Sequence, residues 1–329
     1  MRVFSTLVRT SPQTLAMPLL TLPGGALIGA TVGELLQDPV KQCSAQLAIR
    51  DRFHTPALLS PMDLSAEAEE FGSAVRFSND DVPTVTERLV TGDDDINRLP
   101  VPEVGGKRTA IYLRAVESLS RADTRYPTLA TMIGPFSLAG RLFGVSEILL
   151  ASVTDPETVE ALLRKTTAFL IAYGTALKNA GAKGLLIAEP TAGLLSPGAL
   201  VRCSAPFVKQ IVEAVEDVDF EVILHNCGAR VVHLKPMLAS GIGIIHCGKP
   251  MEIPAALSAL RDDIVLCGNL DPAEVFVQAR PEDVSRRTAQ LLESIAGRRN
   301  FVISSGCDIP ADAPMENITA FFDAIHHHS

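Results

Sequence analysis

The sequence predicts an α/β fold, a parallel (β/α)8 barrel of the TIM-barrel type occupying residues 1–329 as a single domain. Three observations carry that prediction. Eight short apolar runs alternate with segments of helical periodicity, the pattern of a parallel sheet wrapped by helices. Polar and ligand-type residues gather at the C-terminal ends of several runs, where barrel enzymes keep their chemistry. No GxGxxG or P-loop sequence follows an early run, which argues against a doubly wound open sheet.

The runs come in order as MPLLTL (17–22), TPALLS (55–60), TLATMIG (128–134) and GLLIAEP (184–190). EVILHNCG (221–228), GIGIIHCG (241–248), DIVLCGNLD (263–271) and NFVISSGCD (300–308) follow. Between them lie clear helical stretches such as 156–182, which starts behind Asp155 with Pro156 in its first turn, and 281–297. Residues 1–16 read as an N-terminal extension entering the first strand. Residues 64–127 are charged and read as a loop-rich excursion over the barrel mouth, with the acidic TGDDDINRLP stretch simply solvated.

Composition narrows the functional classes. Hydrophobic residues make up 47% of the 329 and charged residues 20%, which suits a well-buried globular chain. A formal charge of −9 argues against a broad nucleic-acid or anionic-membrane surface, while leaving room for a protein partner or a small anion held by local bases. No run of apolar residues is long enough for a transmembrane helix. The N-terminal apolar stretch is broken by polar residues and by Pro18, Pro23, Gly24 and Gly25, unlike a signal peptide, so a cytoplasmic protein is expected. Six cysteines in a chain of this length form no disulfide framework.

Two segments concentrate the chemistry: His225 and Cys227 in VILHNCG, and Cys307 in FVISSGCDIP. Residues two apart on a strand face the same side, so His225 and Cys227 can address one ion. Cys307, at the end of the last strand, reaches the same mouth. Each of the three alone reads as an ordinary buried residue. Together at strand ends they read as a three-ligand zinc site with its fourth position open, a site for chemistry more than for folding.

Other candidates surround them. His246 and Cys247 can supply a fourth ligand, or serve behind the ligands or in the core, and Cys267 reads as packing. Asp63 is a mouth carboxylate or a helix cap. Glu189 is a mouth carboxylate able to accept a thiol proton or bind substrate. Asp271 and Asp308 can orient a ligand or substrate, Asp271 equally forming a turn with Pro272. Arg141 and Lys249 are the bases nearest the mouth for an anionic head group. The terminal run His326, His327 and His328 is set aside from site reasoning.

MDLSAEAEEFG, IGPFSLAG, HNCG, GNLDP and SSGCDIP together resemble the uroporphyrinogen decarboxylase superfamily, and within it the methylcobamide:coenzyme M methyltransferase branch. The resemblance runs from about Asp63 to Thr319. It implies a (β/α)8 barrel with a zinc site made by His225, Cys227 and Cys307. It further implies methyl transfer from a methylated corrinoid, carried by a partner protein, to a small thiol such as coenzyme M, bound as a zinc thiolate. The decarboxylase branch fits less well. Its RxAGR motif is replaced by LTLPGGALIG, and Arg141 stands about where its tyrosine is expected, although an aspartate corresponding to Asp63 survives. A metal-free lyase anchored by Asp63, and a non-catalytic zinc-binding or corrinoid-docking protein, are the alternative readings.

Overall fold

The computed structural model describes residues 3–328. Eight parallel strands form the central sheet. They are β1 (Leu15–Ala16), β2 (Leu58–Leu59), β3 (Thr128–Ile133), β4 (Gly184–Ala188), β5 (Glu221–Asn226), β6 (Ile244–Cys247), β7 (Val265–Leu270) and β8 (Phe301–Ser305). Neighbours in the sheet are neighbours in the chain, and β1 returns to pair with β8, as a barrel requires. Each pair is parallel, with Ile223 opposite Ile244 and Val302 opposite Cys267. The long helices Pro39–Phe53, Thr109–Ala122 and Pro156–Asn179 belong to the connections between strands. No single helix among the described residues is long and apolar enough to cross a membrane.

Side-chain parity explains what fills the barrel. On a strand alternate residues face the same way. Leu129, Leu186, Ile223, Ile244, Val265 and Val302 form one apolar cluster with Leu59 and Met17, so all eight strand regions contribute to it. Burying an aliphatic side chain of this size stabilises by about 1.5–3 kcal/mol. Two residues further along, the same parity gives Thr131, His225, His246 and Ser304: a polar layer above an apolar plug.

The lower end of the plug is sealed by the N-terminal extension, whose residues Val3–Thr10 are a helix. Phe4 and Val8 join the interior cluster. The amides of Phe4 and Ser5 donate to the buried Glu221 carboxylate at the start of β5, at 2.6 and 3.0 Å. A carboxylate suits the electropositive N-terminus of a helix.

The first strand differs from the sequence expectation. Its ladder with β8 covers Leu15 and Ala16, ahead of 17–22. The Met17 amide still bonds the Ile303 carbonyl, after which the Ser305 hydroxyl takes over the Leu19 amide at 2.9 Å. Among the described residues no ladder joins β1 to β2. Side chains bridge that seam instead. Gln46 donates to the Leu20 carbonyl at 2.8 Å and accepts from the Leu59 amide at 3.0 Å, and Thr21 Oγ1 accepts from Met62 at 3.2 Å.

Residues 64–127 hold more regular structure than their composition suggested. They contain helix Ala66–Phe71, a two-stranded antiparallel hairpin (Val75–Arg76 with Thr84–Val85), helix Asp93–Arg98 and helix Thr109–Ala122. Tyr112, Ala115, Val116 and Leu119 bury one face of the last helix, at the 3–4-residue spacing of an amphipathic helix.

Candidate metal centre

His225, Cys227 and Cys307 come together. One donor atom from each, an imidazole nitrogen and two sulfurs, lies within 4.8 Å of the other two. His225 is buried at the end of β5, whereas Cys227 and Cys307 are half-buried, so the site opens to the mouth through its sulfurs. The Cys307 sulfur lies 3.6 Å from His225 Nε2. A tetrahedral zinc with ordinary Zn–S and Zn–N bond lengths sets sulfur and nitrogen about 3.6 Å apart. Donor chemistry and spacing therefore fit zinc, with one tetrahedral position left over.

The thiols also share charge. The Cys307 thiol beside Cys227 holds Cys227 well below the ordinary thiol range, and the same contact together with burial pushes Cys307 up.

His246 stands beside the trio, since β5–β6 register places it opposite His225. Its Nδ1 lies 2.8 Å from His225 Nδ1, which puts it behind the His225 ring. Cys247 faces the other way. It packs with the core outside the barrel interior and contacts the Cys267 carbonyl at 3.3 Å, while Cys267 belongs to the apolar plug.

The two carboxylates expected to do chemistry are both enclosed. Asp63 is 5% exposed and Glu189 1%. Asp63 accepts from Arg108 Nη1, from Tyr112 at 2.6 Å, and from the Ser65 amide and hydroxyl at 3.0 and 2.7 Å. Glu189 accepts from the Phe136 and Ser137 amides, each at 2.9 Å, and from the Ser137 hydroxyl at 2.7 Å. It thereby satisfies the N-terminus of helix Pro135–Phe143. Burial pushes its carboxyl up to about 7.

The remaining candidates divide. Asp308 accepts from the Thr21 amide at 3.1 Å and from its hydroxyl, tying the Cys307 loop to the segment after β1. Asp271 caps the turn at Pro272 through the Ala273 and Glu274 amides. Lys249 is engaged by Glu274 and by Asp271 at 3.5 Å. Arg141 has no ion-pair partner among the described residues, and burial lowers its pKa while the nearby Asp63 charge acts in the opposite direction.

Sequence reasoning missed Ser304, Gln46 and Arg108. Ser304 was within reach, because it shares strand parity with Val302. Gln46 sits on a helix with no motif around it, and Arg108 lies in a segment read as loop.

This arrangement defines an α/β-barrel enzyme with an N,S,S donor set at the C-terminal mouth. The chain belongs to the uroporphyrinogen decarboxylase (URO-D) family, whose sequence model matches residues 12–328, and within it to the methylcobamide:coenzyme M methyltransferase branch, a branch of transferases. It is 30% identical to the methylcobamide:CoM methyltransferase MtbA of Methanosarcina acetivorans over 267 residues, 80% of this chain and 77% of that one. A uroporphyrinogen decarboxylase of Salinibacter ruber is 25% identical, over 90% of this chain and 84% of its own. The solved structure of a methyltransferase from Methanosarcina mazei superposes with a TM-score of 0.88 at 20% identity, covering 99% of this chain and 97% of that one, which establishes the shared fold.

Proposed function

We propose that this enzyme moves a methyl group from a methylated corrinoid to a small thiol, with His225, Cys227 and Cys307 holding one zinc ion. The observation that carries the reading is the convergence of the three donor atoms within 4.8 Å at the barrel mouth. The likeness to relatives named for methyl transfer from methylcobamide to coenzyme M supports it. Zinc bound there supplies Lewis acidity that keeps an incoming thiol deprotonated near neutral pH.

The chain's own residues shape the rest. Two half-buried sulfurs and a buried imidazole leave the open side toward solvent, where a corrinoid carried by a partner protein can present its cofactor face. Arg141, desolvated and without an ion-pair partner among the described residues, is the base suited to an anionic head group on the thiol, since Lys249 is already held by Glu274 and Asp271. In this reading Asp63 and Glu189 are positioning groups. Glu189 fixes the start of the helix that carries Arg141, and Asp63 anchors Arg108 beside the mouth.

Zinc content of the purified protein, wild type beside Cys307→Ser, tests the assignment. The expected result is about one zinc per chain, lost or sharply weakened in the variant, with methyl transfer from methylcobalamin to coenzyme M or another thiol following the metal. A wild-type protein that takes up no zinc when the metal is offered back would sink the reading.

A further inference from the structure

Behind the ligand trio runs a line of buried polar groups that ligation alone does not account for. His225 and His246 face each other in register on β5 and β6, with ring centroids 4.8 Å apart and Nδ1 atoms 2.8 Å apart. His246 Nε2 lies 2.9 Å from the Ser304 hydroxyl on β8, which lies 2.6 Å from the Met17 carbonyl. All four residues are almost completely buried.

We propose that this chain is a tautomer lock: from the Met17 carbonyl through Ser304 and His246, it keeps His225 Nε2 unprotonated and aimed at Cys307 and Cys227. The direction is set at the far end. A carbonyl oxygen only accepts, so the Ser304 hydroxyl donates to it. Ser304 Oγ then has lone pairs to offer His246, whose Nε2 must carry the hydrogen. His246 is fully buried and its hydrogen-bond partners, His225 and Ser304, include no anion to hold a charged ring, so the imidazole is neutral and its Nδ1 is an acceptor. His225 must therefore donate from Nδ1, which leaves its lone pair on Nε2, 3.6 Å from the Cys307 sulfur.

Reversing the chain would place a hydrogen on His225 Nε2, where it would block a metal, and would give up the Ser304 bond to Met17. A hydrogen bond to the distal nitrogen commonly decides which imidazole nitrogen ligates, and losing such a partner typically costs about 10–100-fold in metal affinity. His246 and Ser304 are thus positioning residues, and their benefit to metal binding rests on the zinc reading above.

The test begins without metal. Long-range 1H–15N spectra of the full-length, metal-free protein, with His225 resonances assigned through His225→Gln, report which ring nitrogen carries the hydrogen. The expected wild-type pattern is a protonated Nδ1 and an unprotonated Nε2. Ser304→Ala, which deletes a single heavy atom, is expected to give a mixture of His225 tautomers and to weaken zinc binding about tenfold or more in chelator competition. A protonated Nε2 in the wild type overturns the lock, and so does a Ser304→Ala protein with unchanged His225 resonances. A wild type that shows the expected resonances yet binds no zinc supports the lock and removes the metal assignment.

Discussion

Gly248 stands against the carbonyl of Cys227 with no room for a side chain: a Cβ added there would lie 2.1 Å from that oxygen. The loop after β6 and the loop after β5 that carries Cys227 pack backbone on backbone. Gly248→Ala is therefore expected to push Cys227 out of line with its two partners. Overpacking of this kind costs about 1–3 kcal/mol of stability, and zinc affinity should fall with it. Chelator competition and thermal melts check both, with Gly92→Ala as the control for zinc affinity, since a Cβ there meets nothing within 4 Å. Unchanged zinc affinity in Gly248→Ala would show that Cys227 does not depend on this contact.

Gln46 replaces a rung of the sheet. Its amide joins the Leu20 carbonyl to the Leu59 amide across the seam between β1 and β2. Gln46→Met, similar in shape, removes both bonds and strands two buried backbone groups. Each such group costs about 1–3 kcal/mol, so a loss of about 2–6 kcal/mol is expected in chemical denaturation. Hydrogen exchange at the Leu59 amide should quicken beyond the global loss. Protection of that amide equal to the wild type would mean the seam closes without Gln46.

Asp63 separates a holding role from a chemical one. Asp63→Asn keeps the shape but leaves Arg108 with Glu69 as its remaining carboxylate partner, at 2.5 Å. Breaking a buried ion pair from one side costs about 3–5 kcal/mol, and the residual Glu69 contact places the expected loss at the lower end. Zinc content should be unchanged. A variant as stable as the wild type but devoid of turnover would instead assign Asp63 to the reaction.

The convergence of His225, Cys227 and Cys307 was legible in the sequence because strand parity and the C-terminal clustering of donors are local signals, carried by HNC and by Cys307 after a glycine. The barrel was legible for the same reason, since every strand but the first lies within one of the short apolar runs. The duties of Asp63 and Glu189 were not. A carboxylate after a strand looks the same whether it faces solvent or is consumed by Arg108 and Tyr112 or by the amides of Phe136 and Ser137. Only the path of residues 64–127 and the placement of helix Pro135–Phe143 decide that. The side-chain bridges at the seam were hidden as well, because glutamine on a helix has no pattern that distinguishes a bridging role from an exposed one.

Glu67 gives the fold a pH dependence with a definite sign. It is 1% exposed, its Oε1 accepts from the Ile133 amide at 2.9 Å, and its Oε2 has no hydrogen-bond partner among the described residues. Burial pushes its carboxyl from the ordinary value of 4.5 up to about 8. The folded state therefore holds a proton that the unfolded state has released between those two values. The contribution is fully present below the unfolded pKa and is lost as pH rises through about 8, so stability falls across that window. The loss is at most on the order of 5 kcal/mol, because each tenfold difference in proton affinity between the two states is worth about 1.4 kcal/mol. Glu189 and Asp308, both pushed up to about 7 by burial, add slope of the same sign. Glu67→Gln cannot titrate, so its denaturation free energy should fall less steeply than that of the wild type over this range. Parallel curves for the two proteins would show that Glu67 keeps an ordinary carboxyl in the folded chain.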